Sequence, residues 1–304
     1  MSKIIPDRAV KRRQFWIKKI QKLSGDFDAN TDRLEKELEE EIRKSGIASL
    51  IDHLRLCGNI PESYRHDTSE EKLYSKYTDC LLSLAYKALG FKSLVLRERA
   101  DAADIEVFAE NFSFVADAKS FRLSRTAKNQ KDFKIQAMDS WKRGKLYAMV
   151  VCPIYQLPNT SSQIYEQATA RNVCIFTYSH IVLLLAFSEI ENKVKARELL
   201  EKIFKLIPSM NPSKNAIDYW LAINKTILSF SKRIEQLWAV EKEAVIQSIS
   251  IAKEEALTFL AKERERIMQM SHNEALKELL KVYKVESRIK KINAISDNGL
   301  FNIK

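Results

Sequence analysis

Apolar residues fall into two periodic regimes along the chain. Residues 8–56 read as helical: DANTDRLEKELEEEIRKSG offers Asn30 or Thr31 as a cap, a Glu-rich body and a stop at Gly46. A turn at CGNIPESYRHD precedes a second helix over 69–89. It has Thr68 or Ser69 at its start, apolar positions at Leu73, Tyr77, Leu81, Leu84, Ala85 and Ala88, and Gly90 at its end.

The pattern then shortens. SLVLRER (93–99), ADIEVFA (103–109) and FSFVADAK (112–119) are β-branched or aromatic runs separated by turn residues. A helix is predicted from about Thr126 to Lys142, through Phe133, Ala137, Met138 and Trp141, with Gly144 after it. LYAMVVCPI (146–154) and NVCIFTYS (172–179) read as fully buried strands. A helix crossing between strands implies an α/β fold whose mixed β-sheet holds at least one parallel pair and is flanked by helices.

From about residue 180 the period is helical again. Between Ile234 and Ile292 apolar residues such as Leu237, Val245, Ile249, Phe259, Leu276 and Leu280 recur at three and four, as in an amphipathic helical subdomain or a helical dimer interface.

Composition narrows the function classes. Net charge is +11, which points to a polyanionic partner, either nucleic acid or an acidic membrane surface. The longest apolar run, IVLLLAF at 181–187, is too short to span a bilayer. Cys57, Cys80, Cys152 and Cys174 form no CxxC pair, and His53, His66, His180 and His272 lack ligand spacing. Structural zinc is therefore not expected, and free thiols in a reducing cytoplasm are.

The candidate chemistry sits at the end of the third strand run. Asp117 and Lys119 are two apart, so their side chains leave one face of a strand. If the second and third strands form a hairpin, Asp104 meets Asp117 at one edge, and two carboxylates make a hard oxygen site suited to Mg²⁺. The carbonyl of Ala118 offers a further ligand. Lys119 then orients or activates an attacking water beside a phosphodiester. Asp/Glu-x-Lys occurs four times in the chain, but only Asp117-Ala-Lys119 ends an apolar strand. The alternative reading is a surface ion pair at a sheet edge.

Five basic residues follow at three-residue intervals: Arg122, Arg125, Lys128, Lys131 and Lys134. Three residues advance 300° on a helix, so this ladder winds around a cylinder and cannot form one stripe. A loop over 120–125 followed by a helix is expected, with Ser124 or Thr126 capping it and its N-terminus aimed at a phosphate. Arg122, Ser124, Arg125, Lys128, Asn129 and Lys131 are the candidate DNA contacts, Asn129 having the donor and acceptor pair that matches adenine.

Asp104, a twelve-residue gap and Asp117-Ala-Lys119 resemble the signature of the PD-(D/E)xK nucleases, although Ala103 stands where that family usually has proline. ADAKSFRLSRTAKNQKDFK (116–134) is more closely similar to a type II restriction endonuclease of that superfamily, with weaker similarity from SEEKLYSK (69) to NVCIFTYSH (172–180). The resemblance implies a restriction-endonuclease-like core at 45–187, with helical additions at 1–44 and 188–304. It implies Mg²⁺ as cofactor, with Mn²⁺ able to substitute, and a cytoplasmic homodimer cutting both strands of a palindromic double-stranded DNA. The site would be AAGCTT if specificity matches that of the resembled enzyme, and a DNA methyltransferase would be the functional counterpart. Glu98 matches an acidic residue near the family's active site, but it can equally pair with Arg97 or Arg99. Glu71 occupies a helix where some of these nucleases carry an auxiliary acid, or it simply favours the helix dipole. Asp132 and Lys134 form a second acid–lysine pair. A junction-resolving or repair nuclease and a non-catalytic basic DNA-binding protein are the competing readings.

Overall fold

The computed structural model describes residues 3–97, 102–125 and 130–293. Its centre is a five-stranded mixed sheet in the order β1 (Lys92–Val95), β2 (Ile105–Phe108), β3 (Ser113–Ala118), β4 (Tyr147–Cys152) and β5 (Val173–Thr177). β1, β2 and β3 pair antiparallel, and β3, β4 and β5 pair parallel. The burial pattern explains the composition. β2 alternates buried and half-buried residues, whereas every residue of β5 and all but the first of β3 and β4 are buried. A strand covered on both faces reads as a continuous apolar run, so an acid inside one is conspicuous.

Three helices, α1 (Asp7–Lys22), α2 (Phe27–Ser45) and α3 (Ile47–Leu56), precede the long α4 (Ser69–Ala88). Asp26, not Asn30 or Thr31, caps α2, its carboxylate accepting from Ala29 N at 2.8 Å. Gly46 ends α2 at φ 74°, a conformation that costs glycine nothing. The β3–β4 crossover is not one helix. Lys134, left-handed at φ 50°, divides α5 (Gln130–Phe133) from α6 (Ile135–Trp141), and the break lets Phe133 and Ile135 both enter the core. α7 (Gln163–Ala170) links β4 to β5, and α8 (Tyr178–Ile190), α9 (Lys193–Leu206), α10 (Ala216–Leu228) and α11 (Arg233–Met268) follow.

The core centres on Phe114 of β3, which meets Tyr86 of α4 edge-on at 5.1 Å and Phe204 of α9 at 4.9 Å. Trp16, Leu34 and Leu38 from the N-terminal helices, and Ile203, Phe204 and Ile227 from those after residue 188, share this one core with the sheet. The compact unit thus extends to Ala256. Arg13, buried in α1, ties its distant parts together. Its guanidinium donates to Glu255, to Tyr74 Oη and to the carbonyls of Leu56 and Asn59 at 2.7–2.9 Å. A second unit begins at Leu257 and contains α12 (His272–Val282) and α13 (Val285–Asn293). Ser271 and Glu274 form a capping box at the start of α12. No described helix is long and apolar enough to cross a membrane.

Candidate active site

β3 leads out of the core into the site. The β2–β3 register sets Ile105 opposite Ala116, so Asp104, just before β2, and Asp117 come together at the end of the hairpin. Leu96 N donates to Asp104 O at 2.8 Å, which holds the start of β2 against the end of β1. Asp117 and Ala118 run past the paired part of β2, leaving the Ala118 carbonyl without a β2 partner in that ladder. Lys119 continues the β3 backbone: its N–H donates to Val151 O at 2.8 Å, and its carbonyl accepts from Tyr178 Oη at 2.9 Å. Its ammonium donates to Asp117 Oδ2.

Helix α4 supplies the rest. Asp79 lies on its buried face, with carboxylate oxygens of Asp79, Asp104 and Asp117 all within 4.8 Å of one another. Lys76, one turn earlier, places Nζ 3.3 Å from both Asp79 Oδ2 and Asp104 Oδ1. Asp79 Oδ1 and Asp117 Oδ1 are buried and find no hydrogen-bond donor among the described residues. Buried carboxylate oxygens are normally satisfied, so two without a donor in one acid cluster are what a bound cation would complete. Three hard oxygen donors of this kind suit Mg²⁺ or Mn²⁺.

The electrostatics are those of crowded acids. Burial, with the Asp104 charge beside it, pushes the Asp79 carboxyl well above the usual carboxylate range. Burial and the neighbouring Asp117 raise Asp104 as well. Burial also works against the Asp117 anion, but the Lys119 ammonium outweighs it and holds Asp117 below the ordinary range. Lys119 in turn stays charged despite its burial, because Asp117 and Asp104 face it. The Asp104–Asp117 pair therefore shares its titration, with the more acidic member next to the lysine.

The segment after Lys119 is clamped. Phe121 N donates to Gly58 O at 3.0 Å and Ile60 N to Phe121 O at 3.1 Å. Gly58 is required there, since a Cβ would lie 2.7 Å from Pro153 Cβ. Arg122 is mostly buried: its guanidinium lies 3.2 Å from Glu71 and donates to the Tyr64 carbonyl at 2.5 Å. Ser124 donates through N and Oγ to Glu62, at 3.0 and 2.8 Å; the helix start expected just after it lies outside the described residues. Arg125 pairs with Asp132 at 2.5 Å and lies over the Phe121 ring. Lys131 is exposed, and Lys134 lies over the Trp141 ring. Glu98, Thr126, Lys128 and Asn129 fall outside the described residues.

Asp104, Asp117 and Lys119 are thus brought together as their spacing suggests, with Ala118 between the last two. Glu71 is engaged by Arg122 and by Asp67 N, and Asp132 by Arg125, so neither joins the acid cluster. The third acid is Asp79, which the spacing of motifs does not reveal. Its signal is a carboxylate in the most apolar stretch of α4, beside Cys80, Leu81 and Leu82.

Comparison with known proteins identifies the family. The model of the HindIII restriction endonuclease family matches residues 13–296. The type II restriction enzyme HindIII of Haemophilus influenzae is 33% identical over 254 residues, covering 81% of this chain and 83% of that enzyme. A match over nearly the whole chain, with both the sheet-edge acids and the surrounding helices inside it, shows that the chain belongs to the HindIII restriction endonuclease family of type II restriction enzymes.

Proposed function

We propose that the protein makes Mg²⁺-dependent double-strand cuts at a short palindromic DNA site, using a PD-(D/E)xK centre built from Asp104, Asp117 and Lys119 with Asp79 as an added acid. The observation that carries this is the acid cluster at the end of β3, with two buried carboxylate oxygens lacking donors and an ammonium beside them. Asp79, Asp104 and Asp117 would hold the cation, with the Ala118 carbonyl as a further ligand. Bound there, a divalent cation supplies positive charge to the phosphodiester and acidity to a water.

The protein's own groups do the rest. Lys119 remains an ammonium in this setting, so it orients the attacking water and stabilises the charge gathering on the phosphoryl oxygens. Its aim is set by the backbone bonds to Val151 and Tyr178. Lys131 and the basic surface near it contact the DNA backbone, in keeping with a net charge of +11. Arg125, which is exposed, contacts DNA by exchanging Asp132 for a phosphate. Arg122 and Ser124 act from behind, shaping the loop through Glu71 and Glu62. A homodimer cuts both strands, the target is AAGCTT if specificity follows the relative, and a cognate methyltransferase protects the host chromosome in the same cytoplasm.

Incubation of plasmid DNA with the protein and Mg²⁺ should give discrete fragments, and sequencing their ends defines target and cut together. Asp117→Asn and Lys119→Ala should each lower cleavage by about 10³-fold or more while retaining site-specific DNA binding in a gel-shift assay. Near-normal cutting by either variant would remove the assignment.

A further inference from the structure

Lys76 is not part of the acid-acid-lysine signature, yet it is the second cation of the cluster. Asp117 already has the Lys119 ammonium. Asp79 and Asp104 both pair with Lys76, at 3.3 Å from each. A committed charge-assisted hydrogen bond between ammonium and carboxylate is about 2.7–2.9 Å. Two equal, longer separations describe a cation shared between acids, the position a bound metal would take in charge if not in coordination. Lys76 can also leave. Its side chain is 19% exposed, on a flexible four-carbon stem, while Asp79 is 3% exposed and fixed in the middle of α4.

We propose that Lys76 is the internal counter-cation of the site: it holds Asp79 and Asp104 together before metal arrives, and it must withdraw toward solvent when a divalent cation enters. This rests on the reading of the cluster as a metal site. A divalent ion among these carboxylates would otherwise face an ammonium at contact range, so metal entry includes the work of moving Lys76. Lys76 is a positioning residue that lowers metal affinity in exchange for a preformed site.

The test is Mn²⁺ binding to chelator-treated protein, followed by the electron paramagnetic resonance signal of free Mn²⁺, with no DNA present. Lys76→Met keeps the aliphatic stem and deletes the charge, and should bind Mn²⁺ about tenfold more tightly than the parent. Lys76→Arg, which keeps the charge, should show no tightening. Without metal, Lys76→Met should unfold at a lower temperature than the parent, and Mn²⁺ should raise its Tm by more than it raises the parent's. A purely structural ion pair predicts the lower Tm but not the tighter binding. Unchanged or weaker Mn²⁺ binding in Lys76→Met, with binding lost in Asp117→Asn, would overturn the role of Lys76 and leave the metal site standing. Absence of Mn²⁺ binding in parent and variants alike would remove both. Should Lys76→Met not fold without metal, Lys76→Gln replaces it: folding restored by Mn²⁺ supports the proposal, and failure to restore either variant overturns it.

Discussion

Replacing Asp79 by Asn should stabilise the metal-free protein, an unusual outcome for a buried polar position. Asp79 has two carboxylates within 4.8 Å and one ammonium at 3.3 Å. At an effective dielectric of about 20, each repulsion is worth at least about 3.5 kcal/mol and the attraction about 5 kcal/mol. The balance is about 2 kcal/mol unfavourable before the cost of burying the anion. A ceiling exists, because the carboxyl can take up a proton instead. From its usual 3.8 to pH 7 that costs about 4 kcal/mol. The expected gain for Asp79→Asn is therefore about 2–4 kcal/mol at pH 7, or about 5–10 °C in Tm for a unit of this size. The sign follows from linkage. The folded carboxyl titrates above its unfolded value, so the penalty it imposes is present at neutral pH and disappears as pH falls toward 4. Thermal and urea unfolding in the presence of a chelator, at pH 7 and pH 4, would measure it. The gain should be lost at pH 4, and it should shrink or reverse with excess Mn²⁺, which favours the parent. Destabilisation at pH 7 without metal, or a gain indifferent to pH, would refute the reasoning.

Three further perturbations test the surroundings of the site. Arg122→Met leaves Glu71 without its cation and takes the guanidinium donor from the Tyr64 carbonyl; it should cost about 1–3 kcal/mol in urea unfolding and lower cleavage, through the loop it shapes. Gly58→Ala should drive the 58–60 segment away from Pro153 and loosen Phe121, two residues beyond Lys119, seen as faster amide exchange at Phe121 and Ile60 and a reduced kcat. His180 is buried between Phe176 and Trp220, at ring separations of 4.7 and 5.5 Å, and burial brings its pKa down to about 4. The unfolded chain takes up this proton below about pH 6.5 and the folded one does not. Stability is thus lost from pH 6.5 to 4, by about 3 kcal/mol in all. His180→Phe should flatten that part of the acid limb, compared with the parent by urea midpoints from pH 7 to 4.5.

The one-dimensional pattern determined a good deal. All five strands are legible within a few residues: β3, β4 and β5 because burial on both faces forces continuous apolar runs, β1 and β2 as short apolar runs bounded by turn residues, and α4 because its face repeats at three and four. Asp104, Asp117 and Lys119 are legible for a related reason. A charge at the end of a buried strand contradicts its surroundings, and a short antiparallel hairpin leaves few registers, so the two acids have little choice but to meet. Ion pairs and helix breaks were decided elsewhere. Asp79 and Lys76 join the site only because α4 lies across the strand ends, 38 and 41 residues before Asp117 in sequence, and nothing local distinguishes Lys76 from a solvated lysine. The ladder from Arg122 to Lys134 correctly excludes a single amphipathic helix. Whether Arg122 and Arg125 face water or an acid depends on Glu71, about fifty residues away, and on Asp132 across a turn. The break at Lys134 likewise follows from the core, which draws in Phe133 and Ile135 together at the expense of a continuous helix. Local sequence sets which residues prefer burial or a given backbone shape. Only the folded chain brings distant charges within a few ångströms, where the Coulomb energy becomes large enough to decide what each of them does.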